Sequence, residues 1–196
     1  MAGSGRGGLE ARVLEGMRVV VLVAEGVEDL EFWVTVMRLR EAGAIVTSVG
    51  TTLDPGTGKN GLRVQAERLA GDIDPDAVDG LVIPGGWAPD KLRRNETVTQ
   101  LVRSVYLAGK PLGIICHGGL VAISAGIVEP GRPTPGSLGI RDDLVNAGAR
   151  WVDEPAFRDG TLVWGRVVED IPDFERELIA LFAAHRVRSA SWPETT

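Results

Sequence analysis

Short β-branched runs alternate with helix-period stripes along most of the chain. This alternation restricts the fold more than any other feature of the sequence. Residues 18–23, 44–49, 81–83 and 112–115 are short, mainly apolar runs, the pattern of strands covered on both faces. Leu30, Trp33, Val34 and Met37 recur at helical spacing between the first two strands, and Gly43 supplies the stop. Val98, Leu101, Val102 and Val105 mark a second helix over 95–108. Further helices are expected over 117–125, 142–146 and 174–185, and strands over 62–65, 151–157 and 162–167. Lys59-Asn60-Gly61 carries the strongest turn signal in a segment rich in Gly, Pro, Asp and Asn. Strand–helix alternation of this kind predicts an α/β single-domain sandwich, with a mainly parallel central sheet and helices on both faces.

At 196 residues the chain is long enough for one domain with a substantial core. It is expected to divide into a disordered leader over 1–16, the domain over 17–188 and a flexible tail over 189–196. A net charge of −6 argues against nucleic-acid and anionic-membrane partners, which need clustered positive charge. No apolar run reaches the roughly 18–20 residues that span a bilayer. One cysteine and two histidines leave no set for a multi-cysteine or His-rich metal centre, and no cofactor is expected. A chain without disulfides fits a reducing, cytoplasmic setting. Gly56-Thr57-Gly58-Lys59 lacks the spacing of a phosphate-binding loop and reads as a turn.

Open α/β sheets hold ligands at the carboxyl ends of their strands. Three segments fall at such ends: Ala24-Glu25-Gly26-Val27-Glu28-Asp29, Pro84-Gly85-Gly86-Trp87-Ala88-Pro89-Asp90, and Gly113-Ile114-Ile115-Cys116-His117-Gly118-Gly119. In the third, a strand meets a helix at Cys116. Such an elbow projects its side chain from the sheet edge. The N–H groups of the following helix favour thiolate and are expected to lower the thiol pKa below about 8.5. His117 adds an imidazole that exchanges protons near neutrality. The competing reading is a lone cysteine serving as a small buried hydrophobe. Pro84-Gly85-Gly86 is either a tight turn alone or a source of N–H groups for an oxyanion. Glu28 can meet the thiol, whereas Glu25, Asp29 and Glu31, like Glu28 itself, also read as solvated or helix-capping charges. Trp87 is expected to border the pocket. Trp33, Trp151, Trp164 and Trp192 read as core or interface aromatics.

Taken together, Val27-Glu28-Asp29-Leu30-Glu31, Leu81-Val82-Ile83-Pro84-Gly85-Gly86, Ile115-Cys116-His117-Gly118, Ile123-Ser124-Ala125-Gly126 and the run from Gly139 to Gly148 occur in one order. In them the chain resembles the PfpI family of intracellular cysteine peptidases, within the ThiJ/PfpI superfamily of glutamine-amidotransferase-like, flavodoxin-like folds. The resemblance implies Cys116 as nucleophile, His117 as its partner and Glu28 as the carboxyl on the sulfur. It implies Gly86 and the His117 N–H as oxyanion donors, with Gly118 beside them. It also implies that Asp90 reaches His117 from a neighbouring subunit of a homodimer or hexamer. Four positions depart from the family pattern. Asp90 stands for a glutamate, Trp87 for an arginine, Gly119 for a proline, and Trp164 for a smaller residue. Trp87 and Trp164 are therefore expected to line the substrate site.

The function so implied is a cofactor-independent cysteine enzyme. Cys116 would attack a small carbonyl-type electrophile, followed by hydrolysis or water addition, in the manner of a deglycase, glyoxalase III or PfpI peptidase. A second reading is a hydratase, hydrolase or lyase for an aromatic metabolite. A third is a redox sensor or stress chaperone in which Cys116 is oxidised rather than turned over.

Overall fold

The computed structural model describes residues 12–190, with the backbone alone given for 188–190. In chain order the elements are β1 (Arg18–Leu22), α1 (Asp29–Glu41), β2 (Ile45–Gly50), β3 (Gly56–Thr57), β4 (Arg63–Val64), β5 (Arg68–Leu69) and β6 (Gly80–Ile83). There follow α2 (Ala88–Leu92), α3 (Glu96–Leu107), β7 (Leu112–Ile115), α4 (Gly119–Ser124), β8 (Pro133–Thr134), α5 (Arg141–Asn146), β9 (Arg150–Trp151), β10 (Ala156–Asp159), β11 (Leu162–Gly165) and α6 (Ile171–Ala190). Seven strands form the central sheet in the order β10-β11-β7-β6-β1-β2-β5, with every pair parallel except β10 with β11. The β3–β4 hairpin closes on Gly61 at φ +98°, as the turn signal predicts. No described helix is long and apolar enough to cross a membrane.

The helices cover both faces. α1 and α6 pack together on one side, and α2, α3 and α4 pack on the other. On the first side, Phe174, Leu178, Leu181 and Phe182 of α6 are fully buried. Gly80 of β6 and Gly113 of β7 let those rings and methyls sit directly on the sheet. Each such side chain contributes about 1.5–3 kcal/mol through burial.

Several elements depart from the sequence reading. The strand expected over 151–157 is split into β9 and β10, which belong to different sheets. α6 begins three residues early, at Ile171. α2, unassigned from sequence, follows the Gly85-Gly86 turn. Residues 1–11 of the expected leader lie outside the described residues. Residues 12–16 form an ordered turn whose Leu14 is buried and whose N–H donates to Ala42 O (2.8 Å). The expected tail begins within the last turn of α6, and residues 191–196 lie outside the described residues. α1 forms as predicted but buries the opposite face. Glu31, Phe32, Thr35, Val36 and Leu39 point inward, while Leu30 and Met37 are 49% and 63% exposed.

Candidate active site

The three loops that follow β1, β6 and β7 converge at the carboxyl edge of the sheet, because these strands are adjacent at its centre. From β1 the sheet grows outward in both directions, which opens a crevice for ligand at this edge. Backbone hydrogen bonds lace the loops together. Glu28 N donates to Gly85 O (3.1 Å), and Trp87 N donates to Gly26 O (2.7 Å). Gly86 has φ +77°, and a Cβ there would lie 2.4 Å from both Glu28 N and Gly26 O. Glycine is therefore required for the approach.

Cys116 is the one non-glycine residue at positive φ among the described residues, at +58°. A cysteine in this conformation is strained, and strain of this kind is held in place by its surroundings. The 3-10 turn Cys116–Gly118 then leads into α4. His117 Nδ1 lies 3.2 Å from Cys116 Sγ. The backbone N–H groups of His117 and Gly86 both reach the sulfur, so the two expected oxyanion donors stand at the nucleophile.

The carboxyl against the thiol is that of Glu31, and this corrects the assignment of that role to Glu28. Glu28 precedes α1 as its N-cap residue. Glu31 lies one turn further on, and helical side chains lean back toward the N-terminus, which carries it under the elbow. Its Oε2 accepts from Gly85 N at 2.6 Å. Burial pushes its carboxyl up to about 7, against the lowering effect of the Gly85 N–H. Glu28 still lines the pocket, where its Oε1 accepts from Asn60 Nδ2 (3.0 Å) and its Oε2 lies 3.5 Å from Lys59 Nζ. Asp29, a possible helix cap by sequence, instead turns its carboxylate onto the 58–62 turn.

Burial, joined by the Glu31 charge, pushes the Cys116 thiol up to about 12. The two backbone N–H groups act in the expected downward direction but are outweighed. The predicted low thiol pKa is therefore not a property of the resting site. The like-charge part of the elevation disappears once Glu31 takes a proton. Burial, aided by Lys59, lowers the His117 imidazole and keeps it neutral near pH 7.

Cys116 opens into a pocket of about 320 Å³, lined also by Glu31, Lys59, Trp87, Ser137 and Glu169. A groove of about 420 Å³ beside α1 and β2 is larger but holds no thiol or imidazole, and its Ser48 hydroxyl is bonded to Gln65 O and Glu67, so chemistry rather than volume singles out the thiol pocket. Trp87 borders it as expected and is 63% exposed. Ser137 enters from the irregular 130–139 loop. Trp164, expected at the rim, is buried in β11 and faces a separate cavity with Tyr106 and Arg132. Gly118 has a packing role rather than a place in the pocket lining: a Cβ there would lie 2.3 Å from Ile83 O. Asp90 is exposed on α2 and paired with Arg94 of its own chain. Among the described residues, no cluster of three or more His, Cys, Asp or Glu side chains is arranged to hold a metal.

The DJ-1/PfpI family model matches residues 17–181, which include all three loops. The chain belongs to the DJ-1/PfpI family. It is 37% identical over 165 residues to Deglycase PfpI of Pyrococcus furiosus, a match covering 84% of this chain and 99% of that one. It is 39% identical to an uncharacterised protein of Archaeoglobus fulgidus, over 84% and 98% of the two chains. It is 34% identical over 167 residues to the putative cysteine protease YraA of Bacillus subtilis, over 84% and 97%. Among solved structures, a two-domain Anabaena variabilis protein with DJ-1/ThiJ/PfpI-like and ferritin-like domains superposes with a TM-score of 0.81 at 32% identity. That match covers 84% of this chain but only 47% of the other. DJ-1 of Schizosaccharomyces pombe, with a TM-score of 0.75 at 24% identity over 90% of this chain and all of that one, shares the fold.

Proposed function

We propose that this DJ-1/PfpI protein is a cofactor-independent cysteine enzyme acting on small carbonyl electrophiles by hydrolysis or water addition. The observation that carries the reading is the strained Cys116 elbow, with an imidazole nitrogen, two backbone N–H groups and a protonatable carboxyl gathered on one sulfur. A site of this kind supports nucleophilic catalysis. In the proposed first step the thiol proton passes to the Glu31 carboxylate and the sulfur lone pair attacks the carbonyl carbon. The C–S bond forms as the carbonyl π pair moves to oxygen, where the N–H groups of Gly86 and His117 receive it. Glu31 then returns the proton to that oxygen; water adds at the carbon as the C–S bond breaks, and the proton that water loses passes back to the sulfur, with His117 placed to relay it. The names of the archaeal and bacterial relatives, deglycase and putative cysteine protease, support this class.

Self-association belongs to the same proposal. Leu30 and Met37 form an exposed apolar stripe on α1, and a neighbour's Asp90 would have to leave its Arg94 to reach His117. The proposed setting is the cytoplasm, with no nucleic-acid or membrane partner. An aromatic substrate is a second reading, favoured by the exposed indole of Trp87 at the pocket mouth.

The test is turnover of methylglyoxal and of a glycated amine by the purified protein, alongside Cys116→Ser. The expected result is activity that vanishes in the serine variant. Equal rates in the two proteins would reject the nucleophile. If Trp87→Arg left the preference between aromatic and aliphatic substrates unchanged, the aromatic reading would fall.

A further inference from the structure

We propose that Lys59 is a specificity-determining residue of the thiol pocket, selecting electrophiles that carry a carboxylate next to the reacting carbon. This inference rests on the cysteine-nucleophile reading and adds a substrate class to it.

The turn that presents Lys59 is held by a buried charge. Asp29 is 2% exposed, and its two oxygens accept from Asn60 N (2.6 Å) and Leu62 N (2.8 Å). Among the described residues it pairs with no cation. Lys59 N donates to Val27 O at 2.8 Å. A Cβ on Gly58 would lie 2.3 Å from Asp29 Oδ1, so the turn closes directly on the carboxylate. A buried carboxylate is costly unless it is fully hydrogen-bonded. Here it fixes the backbone beneath a lysine that lines the thiol pocket.

The charges facing that pocket are unequal in access. The Glu28 side chain is 5% exposed, with its oxygens engaged by Asn60 and Lys59, whereas the Lys59 side chain is 43% exposed. Glu28 is the one ion partner of Lys59 among the described residues, and it leaves other ammonium donors open. Burial lowers the His117 imidazole, and it raises the Glu31 carboxyl to about 7, so near neutrality Glu31 carries only part of its charge. Glu169 opposes from the rim, where it is exposed and screened by solvent. An incoming ligand therefore meets an ammonium group. A carboxylate beside the reacting carbon can accept a charge-assisted hydrogen bond from it.

The test uses two alkylating probes of nearly equal size, iodoacetate and iodoacetamide, on the full chain, followed by intact mass. In both reactions the thiolate forms an S–C bond and iodide leaves. Their rate ratio therefore cancels the thiolate fraction and isolates the response to charge. Lys59→Met is expected to lower the iodoacetate-to-iodoacetamide ratio by about fivefold, the effect of one unit charge at roughly 4 Å in water. Lys59→Arg is expected to keep the ratio, and Glu28→Gln to raise it. An unchanged ratio in Lys59→Met, or an equal loss in Lys59→Arg, would overturn this inference while leaving the nucleophile reading standing. A wild-type thiol that reacts with neither probe would overturn both.

Discussion

Glu31 and Glu175 are both almost fully buried, and burial raises each carboxyl to about 7. Each keeps one oxygen outside any conventional hydrogen bond among the described residues. Glu31 sits at the carboxyl edge of the sheet against a strained cysteine and an open pocket. Glu175 sits between α6 and α1, where Thr35 Oγ1 donates to it. The desolvation physics is shared, and only the surroundings differ. A perturbed carboxyl marks a candidate for chemistry. The strained nucleophile and the accessible space beside it separate a reactive group from an interior one.

The largest effect expected from this contrast is catalytic. Glu31→Gln is expected to reduce turnover about 10²- to 10⁴-fold, the usual range for a lost proton carrier. Glu175→Gln should change it little. Steady-state rates on a dicarbonyl substrate decide the matter, and equal losses in the two variants would erase the distinction.

The next effect is on stability, and here the two residues should behave alike. Both folded values lie above the ordinary carboxylate value of 4.5. The fold therefore favours the protonated forms. Their contribution is complete below about pH 4.5 and is lost as pH rises through about 7, amounting to about 3 kcal/mol per group. Urea unfolding at pH 4.5 and pH 8 should show this loss in the wild type, reduced by about half in Glu175→Gln. A pH-independent difference between that variant and the wild type would contradict the assignment.

A smaller effect separates Glu31 from its neighbour. Removing the Glu31 charge should lower the apparent thiol pKa, since that charge contributes to its elevation. Glu28→Gln should shift it less, because Glu28 is already occupied by Lys59 and Asn60. Iodoacetamide rates against pH measure both shifts, and a larger shift in Glu28→Gln would restore the original assignment of the thiol's partner.

That original assignment shows where the sequence was legible. The strands over 18–23, 81–83 and 112–115 declared themselves by short apolar runs rich in Val, Ile and Leu, and the elbow was visible where one run stopped at Cys116. α1 was harder. Its inward face includes Glu31 and Thr35, two polar residues that interrupt the helical stripe, while Leu30 and Met37 extend a rival stripe on the outside. Periodicity follows the stronger apolar signal, so the buried face was misread and Glu31 with it. Asp29 illustrates the same limit. It looks like a helix cap, and only the approach of the 58–62 turn shows what its carboxylate holds. Trp164 looked exceptional by size, yet size says nothing about which face of β11 it occupies.

The loops of the site are distant in sequence and meet only through parallel strand pairing. Glu31, Gly86 and Cys116 are brought together by the alignment of β1, β6 and β7. Pairings of this kind are slow to form, because long chain segments must be closed first. Until they form, Cys116 carries an unstrained backbone and an ordinary thiol, without its imidazole geometry or its oxyanion donors. The nascent chain thus exposes an ordinary thiol, without the oxyanion donors that the proposed turnover needs. The thiol's transition from ordinary to perturbed titration can serve as a clock for the last stage of folding.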